Sequence, residues 1–195
     1  MTHHALPRER LVDRVHQALA AHLRAGDIAL DATCGNGHDT ACLARIVGTT
    51  GEVHAFDLQD EAIARTHARL AEMGLLAPVR FYCADHAQLA ALLPEGLQGR
   101  LRAGIFNLGY RPGSDHSIVT LPGSTLAALG ACSGLLSIGG VISVLVYTGH
   151  PGGALESEAV THWSASLPPE DWKITWTSFQ GTRRPAPRWL WLMRR

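Results

Sequence analysis

The sequence predicts an α/β fold in which a mostly parallel sheet, of the seven-stranded type, is covered by helices on both faces. Two observations carry this expectation. Short apolar, strand-like runs alternate with helical stretches along most of the 195 residues, the pattern of repeated βαβ units. The first run also closes on a glycine-rich turn, Asp31-Ala32-Thr33-Cys34-Gly35-Asn36-Gly37, and the next run ends on Asp57, as in the first strand-turn-helix-strand unit of an open sheet that binds a ligand at its carboxyl edge.

The elements follow in order. Leu11, Val15, Leu19 and Leu23 recur at helical spacing within residues 7–24, with Pro7 near the start and Gly26 past the end, so an amphipathic helix precedes the first strand. Strands are expected at residues 28–31, 53–57, 79–83, 103–107, 141–147 and 174–179. Helices are expected at 39–47, 60–73, 86–93, 120–136 and 155–166. The last two of these strands, followed by residues 189–193, are expected to form an antiparallel edge. With 46% of the chain apolar there is enough for one sizeable core and too little for two, so one domain over residues 1–195 is expected.

Composition excludes several classes. No apolar run approaches the roughly 20 residues that span a bilayer, and the first ten residues lack the apolar core of a signal peptide, so a cytoplasmic protein without membrane partners is expected. Cys34, Cys42, Cys83 and Cys132 are scattered without a C-x-x-C pair, which supports neither a disulfide framework nor a metal site. Zero net charge argues against a strongly electrostatic nucleic-acid binder. Residues 172–195, however, carry Lys173, Arg183, Arg184, Arg188, Arg194 and Arg195 and no acid, and a basic edge on a neutral body can grip a few phosphates.

A glycine-rich turn between a buried strand and a helix lets a ligand approach the backbone closely, and an acid ending the next strand can accept two hydrogen bonds from a ribose diol. Residues 31–37 with Asp57 therefore point to a nucleoside. A dinucleotide site wants Gly-x-Gly-x-x-Gly, with helix amides facing a pyrophosphate. Here Gly35-Asn36-Gly37 continues as His38-Asp39-Thr40 without a third glycine. Asp31 places a carboxylate where a pyrophosphate would be repelled and a cationic methionyl group attracted. S-adenosylmethionine is thus expected in preference to NAD. Asp85-His86, ending the third strand, could receive the exocyclic amine of its adenine.

The fourth strand ends at Asn107-Leu108-Gly109-Tyr110, which resembles the Asn-Pro-Pro-Tyr loop of methyltransferases acting on exocyclic amines. Methyl transfer needs a neutral nitrogen lone pair held in line, so a site must orient the amine and accept its hydrogens. An Asn side-chain oxygen and nearby backbone carbonyls do both. Tyr110 could stack on a base, and Asp115 or His116 could accept the proton of an ammonium substrate. The fifth strand opens into Tyr147-Thr148-Gly149-His150-Pro151-Gly152-Gly153, where His150 either contacts substrate or caps a helix. Glu156 and Glu158 read as acids of a helix first turn. His3, His4, His16, His22, His54, His67 and His162 show no ligand spacing and read as surface or satisfied core histidines.

In this order the motifs resemble those of the YtqB/MnmM family of RNA methylases. The resemblance rests on residues 31–40, on Ala55-Phe56-Asp57-Leu58-Gln59, on Phe106-Asn107-Leu108-Gly109-Tyr110 with Pro112-Gly113 and Asp115-His116, and on Tyr147, Gly149-His150 and Gly152-Gly153. It covers nearly the whole chain. The departures are Arg111, Ser114, Ala154-Leu155 and the tail, where Phe179-Gln180 and Pro185-Ala186-Pro187 stand for an Asn-Gln and a Pro-Pro signature.

The resemblance implies a Rossmann-like class I methyltransferase that uses S-adenosylmethionine. It would methylate the aminomethyl nitrogen of 5-aminomethyl-2-thiouridine at the wobble position of tRNA, engaging the anticodon loop; a homodimer is compatible with it. The expected cofactor-binding set is Asp31, Thr33, Gly35, Asn36, Gly37, His38, Asp39, Thr40, Asp57, Leu58, Gln59, Asp85, His86 and Asn107. The expected catalytic set is Asn107, Tyr110, Asp115 and His116; Gly109, Tyr110, Tyr147, His150, Arg183, Arg184 and Arg188 are expected to meet the substrate. The alternatives are a methyltransferase of a small-molecule amine and a noncatalytic cofactor-binding module.

Overall fold

The computed structural model describes residues 11–109, 120–149, 151–178 and 187–195. Helix α1 (Leu11–His22) turns Val15 and Leu19 inward and precedes strand β1 (Ile28–Asp31). Helix α2 (His38–Val47) follows the glycine-rich turn, then come strand β2 (Glu52–Asp57) and helix α3 (Asp60–Glu72). Asp60 and Glu61 in the first turn of α3 and Arg69 in its last complement the helix dipole. Strand β3 (Val79–Cys83) leads through a 3-10 turn (His86–Gln88) into the short helix α4 (Leu89–Leu92), and strand β4 (Leu101–Leu108) follows. Helix α5 (Pro122–Leu135) starts on a proline, whose missing N–H is no loss in a first turn. Strand β5 (Leu136–Val146), helix α6 (Gly153–Ala165) and strands β6 (Trp172–Ser178) and β7 (Arg188–Arg194) complete the chain.

The seven strands are ordered β3-β2-β1-β4-β5-β7-β6. All neighbours pair in parallel except β7, which is antiparallel to both β5 and β6. The chain winds outward from β1 to β3 and then returns to lay β4 on the other side of β1. The carboxyl ends of β1 and β4 thus flank the topological switch point, where open sheets of this kind bind ligands.

Both faces of the sheet are buried, so successive strand residues serve opposite cores. Leu30, Phe56, Phe106, Leu108, Ile142 and Val144 point into one, roofed by Leu89, Leu129 and Val160 of α4, α5 and α6. Ala29, Val53, Ile105 and Leu145 point into the other, under Val15, Leu19, Leu43, Val47 and Leu70 of α1, α2 and α3. This is why the central strands read as continuous apolar runs rather than alternating ones. Each large side chain so buried contributes roughly 1.5–3 kcal/mol. The approach of α5 is close: a Cβ on Gly104 of β4 would stand 2.6 Å from Cys132 Sγ.

Three elements differ from the sequence expectation. The helix expected over 86–93 is a 3-10 turn followed by a single α turn, because the Asp85 side chain caps the Ala87 amide and Pro94 holds Leu93 extended. The fifth strand begins at Leu136, five residues early, because a register shift between Leu101↔Leu136 and Ala103↔Val141 absorbs the residues between. The final hairpin does not simply extend the sheet: β7 inserts between β5 and β6, leaving β6 as the edge.

Candidate active site

The tips of β1, β2 and β4 are stitched together by side chains of the glycine-rich turn. Gly37, the N-cap of α2, has φ 78, a left-handed conformation, and a Cβ there would stand 3.0 Å from Thr66, so the turn folds tightly onto α3 only with glycine. Thr66 Oγ1 donates to the Gly35 carbonyl (3.2 Å) and Arg69 Nε to the Asn36 carbonyl (2.7 Å). Asp57 secures the other side. Its Oδ2 accepts the Gly35 amide at 2.9 Å and its Oδ1 the Gln59 amide at 3.0 Å. Each carboxylate oxygen has two acceptor positions, so Asp57 can still receive a ribose hydroxyl. Leu58 beside it is 59% exposed, an apolar surface at the cleft mouth.

Asp31 lies beneath this turn, fully buried, with Oδ2 accepting from Thr40 Oγ1 (2.6 Å) and Oδ1 from the Thr33 amide (3.2 Å). Burial, reinforced by the Asp39 charge, pushes its carboxyl up to about 8. Asp31 has no exposed surface and holds Thr33 and Thr40 in place. Thr33 in turn accepts the Asn107 amide on Oγ1 at 2.8 Å, joining the ends of β1 and β4.

Asp39, in the first turn of α2, is buried and accepts two bonds: from His16 Nε2 at 2.6 Å and from Asn107 Nδ2 at 2.7 Å. The second bond fixes the Asn107 amide, since a flipped amide would set oxygen against carboxylate. Asn107 Oδ1 is left buried without a protein partner. The Tyr147 hydroxyl, just past the end of β5, is pushed up by burial and by the Asp39 charge. His38 is exposed at the start of α2.

Across the cleft, Asp85 Oδ1 accepts the Ala87 amide at 2.9 Å. His86 is buried, its Nε2 has no partner, and burial pushes its pKa down, so the ring is neutral. Gly109 is clamped to Thr120, its amide donating to Thr120 Oγ1 (2.9 Å) and its carbonyl accepting the Thr120 amide (3.1 Å). The Thr120 hydroxyl donates onward to Glu156 Oε2 (2.7 Å), whose other oxygen accepts Thr125 Oγ1 (2.6 Å). Arg188 Nη1 donates to Ser157 Oγ (3.3 Å) and Thr161 Oγ1 (3.0 Å), and its guanidinium lies 4.1 Å over Trp176. Arg188 is thus fixed in the wall of a groove of about 510 Å3 that Thr148, Glu158 and His162 also line. Tyr110, Asp115, His116, His150, Arg183 and Arg184 lie outside the described residues.

Of the expected cofactor residues, Gly35 is tied to Asp57, and Thr33 and Asp39 are both tied to Asn107, at the tips of β1, β2 and β4. Two residues that pattern reasoning set aside belong here as well. His16 read as an ordinary histidine, yet it shares the inward stripe of α1 with Val12 and Leu19, and a histidine in an apolar stripe was the available signal. Glu156 read as a first-turn acid, and its burial against two threonine hydroxyls has no signature in sequence. Among the described residues no group of three His, Cys, Asp or Glu side chains is placed to hold a metal ion, and no helix is long and apolar enough to cross a membrane.

A cleft with an acid for a ribose, an exposed leucine beside it and a buried, unpartnered His86 Nε2 suits an adenosyl cofactor. Known proteins agree. Residues 53–193 match the family described as "Putative rRNA methylase", and residues 8–91 match the protein-L-isoaspartate(D-aspartate) O-methyltransferase family. An Arabidopsis thaliana protein named tRNA (mnm(5)s(2)U34)-methyltransferase, chloroplastic, is 37% identical over 197 residues, covering 96% of this chain and 70% of that one. The crystal structure of a "putative rRNA-methylase" from Clostridium thermocellum superposes with a TM-score of 0.89 at 34% identity, over 97% of this chain and 100% of the other. A Streptococcus mutans "putative methyltransferase" solved in complex with SAH gives 0.84 at 28% identity, over 96% and 99%. The matched family profile, the curated relative and the shared fold together make this chain a member of that rRNA methylase family, an S-adenosylmethionine-dependent methyltransferase.

Proposed function

We propose that the protein methylates the aminomethyl nitrogen of 5-aminomethyl-2-thiouridine at the wobble position of tRNA. The observation that carries this is Asn107. Its Nδ2 is held by Asp39 while Oδ1 is buried without a partner, and leaving an acceptor so costs about 1–3 kcal/mol unless something uses it. An amine N–H is a suitable donor to that oxygen. The resemblance to the Arabidopsis enzyme, whose name specifies the same modified uridine, supports the identity of the acceptor.

In this reading Asp57 holds the ribose, Leu58 and the Asp85-His86 turn border the adenine, and the amides of the glycine-rich turn line the remainder. S-adenosylmethionine supplies an electrophilic methyl group. Asn107 orients the amine with its lone pair free, and neighbouring groups favour its neutral form, because an ammonium has no lone pair to attack with. Tyr110 stacks on the base, Asp115 or His116 takes the proton, and the arginines of the 183–188 segment meet phosphates.

Incubation of tRNA from cells lacking the enzyme with protein and labelled S-adenosylmethionine, followed by nucleoside mass spectrometry, tests this directly. The expected product is the wobble nucleoside one methyl heavier. Label on another nucleoside would redirect the assignment. Zero net charge favours a second reading, a small-molecule amine as acceptor, under which no RNA would be labelled. A noncatalytic module would turn over nothing.

A further inference from the structure

We propose that His16 is a positioning residue for this reaction, its imidazolium neutralising Asp39 and thereby fixing the Asn107 amide toward a neutral amine. The proposal rests on the reading of Asn107 given above. Three observations carry it. His16 Nε2 is 2.6 Å from Asp39 Oδ1, Asp39 Oδ2 accepts Asn107 Nδ2 at 2.7 Å, and Asn107 Oδ1 is the member of this chain left without a partner. The three side chains come from α1, α2 and β4, so the relay crosses from a surface helix to the switch point of the sheet.

The charges around His16 decide its state. From α2, Asp39 and Cys42 face the ring; Asn107 of β4 donates to the same carboxylate, whose charge also reaches the Tyr147 hydroxyl just past β5; Asp13 and Arg14 are the charged neighbours of His16 on α1. Burial alone would push the imidazole down, but the hydrogen bond to Asp39, helped by Cys42, more than reverses this and raises it to about 10. At 2.6 Å from Asp39, His16 holds its imidazolium form across the physiological range.

The chemical consequence concerns the acceptor. A bare carboxylate near an amine favours its ammonium form, which cannot attack. With Asp39 neutralised by His16, the carboxylate can hold the Asn107 amide without retaining a proton on the amine. His16 touches neither substrate nor cofactor and acts wholly through Asp39.

The test compares pH profiles of tRNA methylation for the wild type, His16→Gln and the double variant His16→Gln with Asp39→Asn. Glutamine can still donate to Asp39 but brings no charge. Affinity for S-adenosylhomocysteine should stay within about threefold in His16→Gln, which shows that the cleft is intact. Its acid limb of kcat should move to higher pH by about one unit or more. The double variant should return the limb to its wild-type position at a lower plateau. An unmoved limb in His16→Gln with cofactor affinity intact would overturn the proposal. Titration of the His16 imidazole by NMR in the wild type needs no RNA and separates this proposal from the choice of substrate. A midpoint above about 8 is expected, against an ordinary value of about 6.5, and a midpoint below 8 would overturn the positioning role even if tRNA is methylated. Failure of the wild type to label tRNA, with that midpoint high, would instead count against the substrate.

Discussion

Asp57 is proposed to hold a ribose with the same oxygens that already hold the Gly35 and Gln59 amides. Asp57→Ala should therefore cost more than one lost ligand bond. Charged hydrogen bonds contribute about 1.5–3 kcal/mol each, so affinity for S-adenosylhomocysteine should fall at least ten- to a hundredfold by calorimetry. Asn107 divides its work differently. Its backbone amide is held by Thr33 whatever the side chain, whereas its Nδ2 and Oδ1 face Asp39 and the reacting end. Asn107→Ala should leave cofactor affinity within about threefold and lower kcat by ten- to a thousandfold, a loss of about 1.4–4 kcal/mol in the transition state. Equal loss of cofactor affinity in both variants would contradict this division between binding and chemistry.

Among the elements, helix α5 and the segment before it show how packing fixes the site. Gly104 of β4 lets α5 approach until Cys132 would be 2.6 Å from any Cβ. Gly104→Ala should destabilise by about 1–3 kcal/mol in urea unfolding. Cys132→Ala opens space there, so the double variant should recover part of that loss, and strict additivity would show that the contact is not the cause. The amino end of α5 is tied by Thr120, which bonds Gly109 on one side and Glu156 on the other. Thr120→Val removes both bonds from a hydroxyl that holds the two ends of the 110–119 segment together. It should raise KM for tRNA severalfold while leaving affinity for S-adenosylhomocysteine unchanged. A raised cofactor Kd would mean that the clamp acts on the whole cleft.

Across the whole molecule, what was legible in sequence is what short-range chemistry determines. The glycine-rich turn and the acid ending β2, which meet through the Gly35 amide, were legible because tight turns demand glycine and a strand tip leaves few places for an acid. The insertion of β7 between β5 and β6 was not legible, since strand order depends on which edges meet and not on any local pattern. Nor was the state of the buried carboxyls, which depends on neighbours brought together from α1, α2 and β4. Those neighbours give the protein a particular stability profile with pH. Asp31 has a folded pKa raised from 3.8 to about 8 and His16 one raised from 6.5 to about 10. For both, the folded state binds more protons than the unfolded chain, so their contributions are full below the unfolded pKa and are lost as pH rises through the folded one. His54, buried with Nδ1 at 2.9 Å from the Tyr82 hydroxyl, and His86 are both pushed down by burial. Their contributions are present above about 6.5 and are lost as pH falls through their folded values. Stability should therefore be greatest near pH 6–7 and decline toward pH 10, with the losses of Asp31 and His16 overlapping between 6.5 and about 8. Melting temperatures recorded across this range should show that fall, and His16→Gln should flatten its upper part because no imidazolium is left to lose. A Tm that rises between pH 7 and 9 in the wild type would show that neither the buried Asp31 proton nor the His16–Asp39 pair governs the alkaline limb.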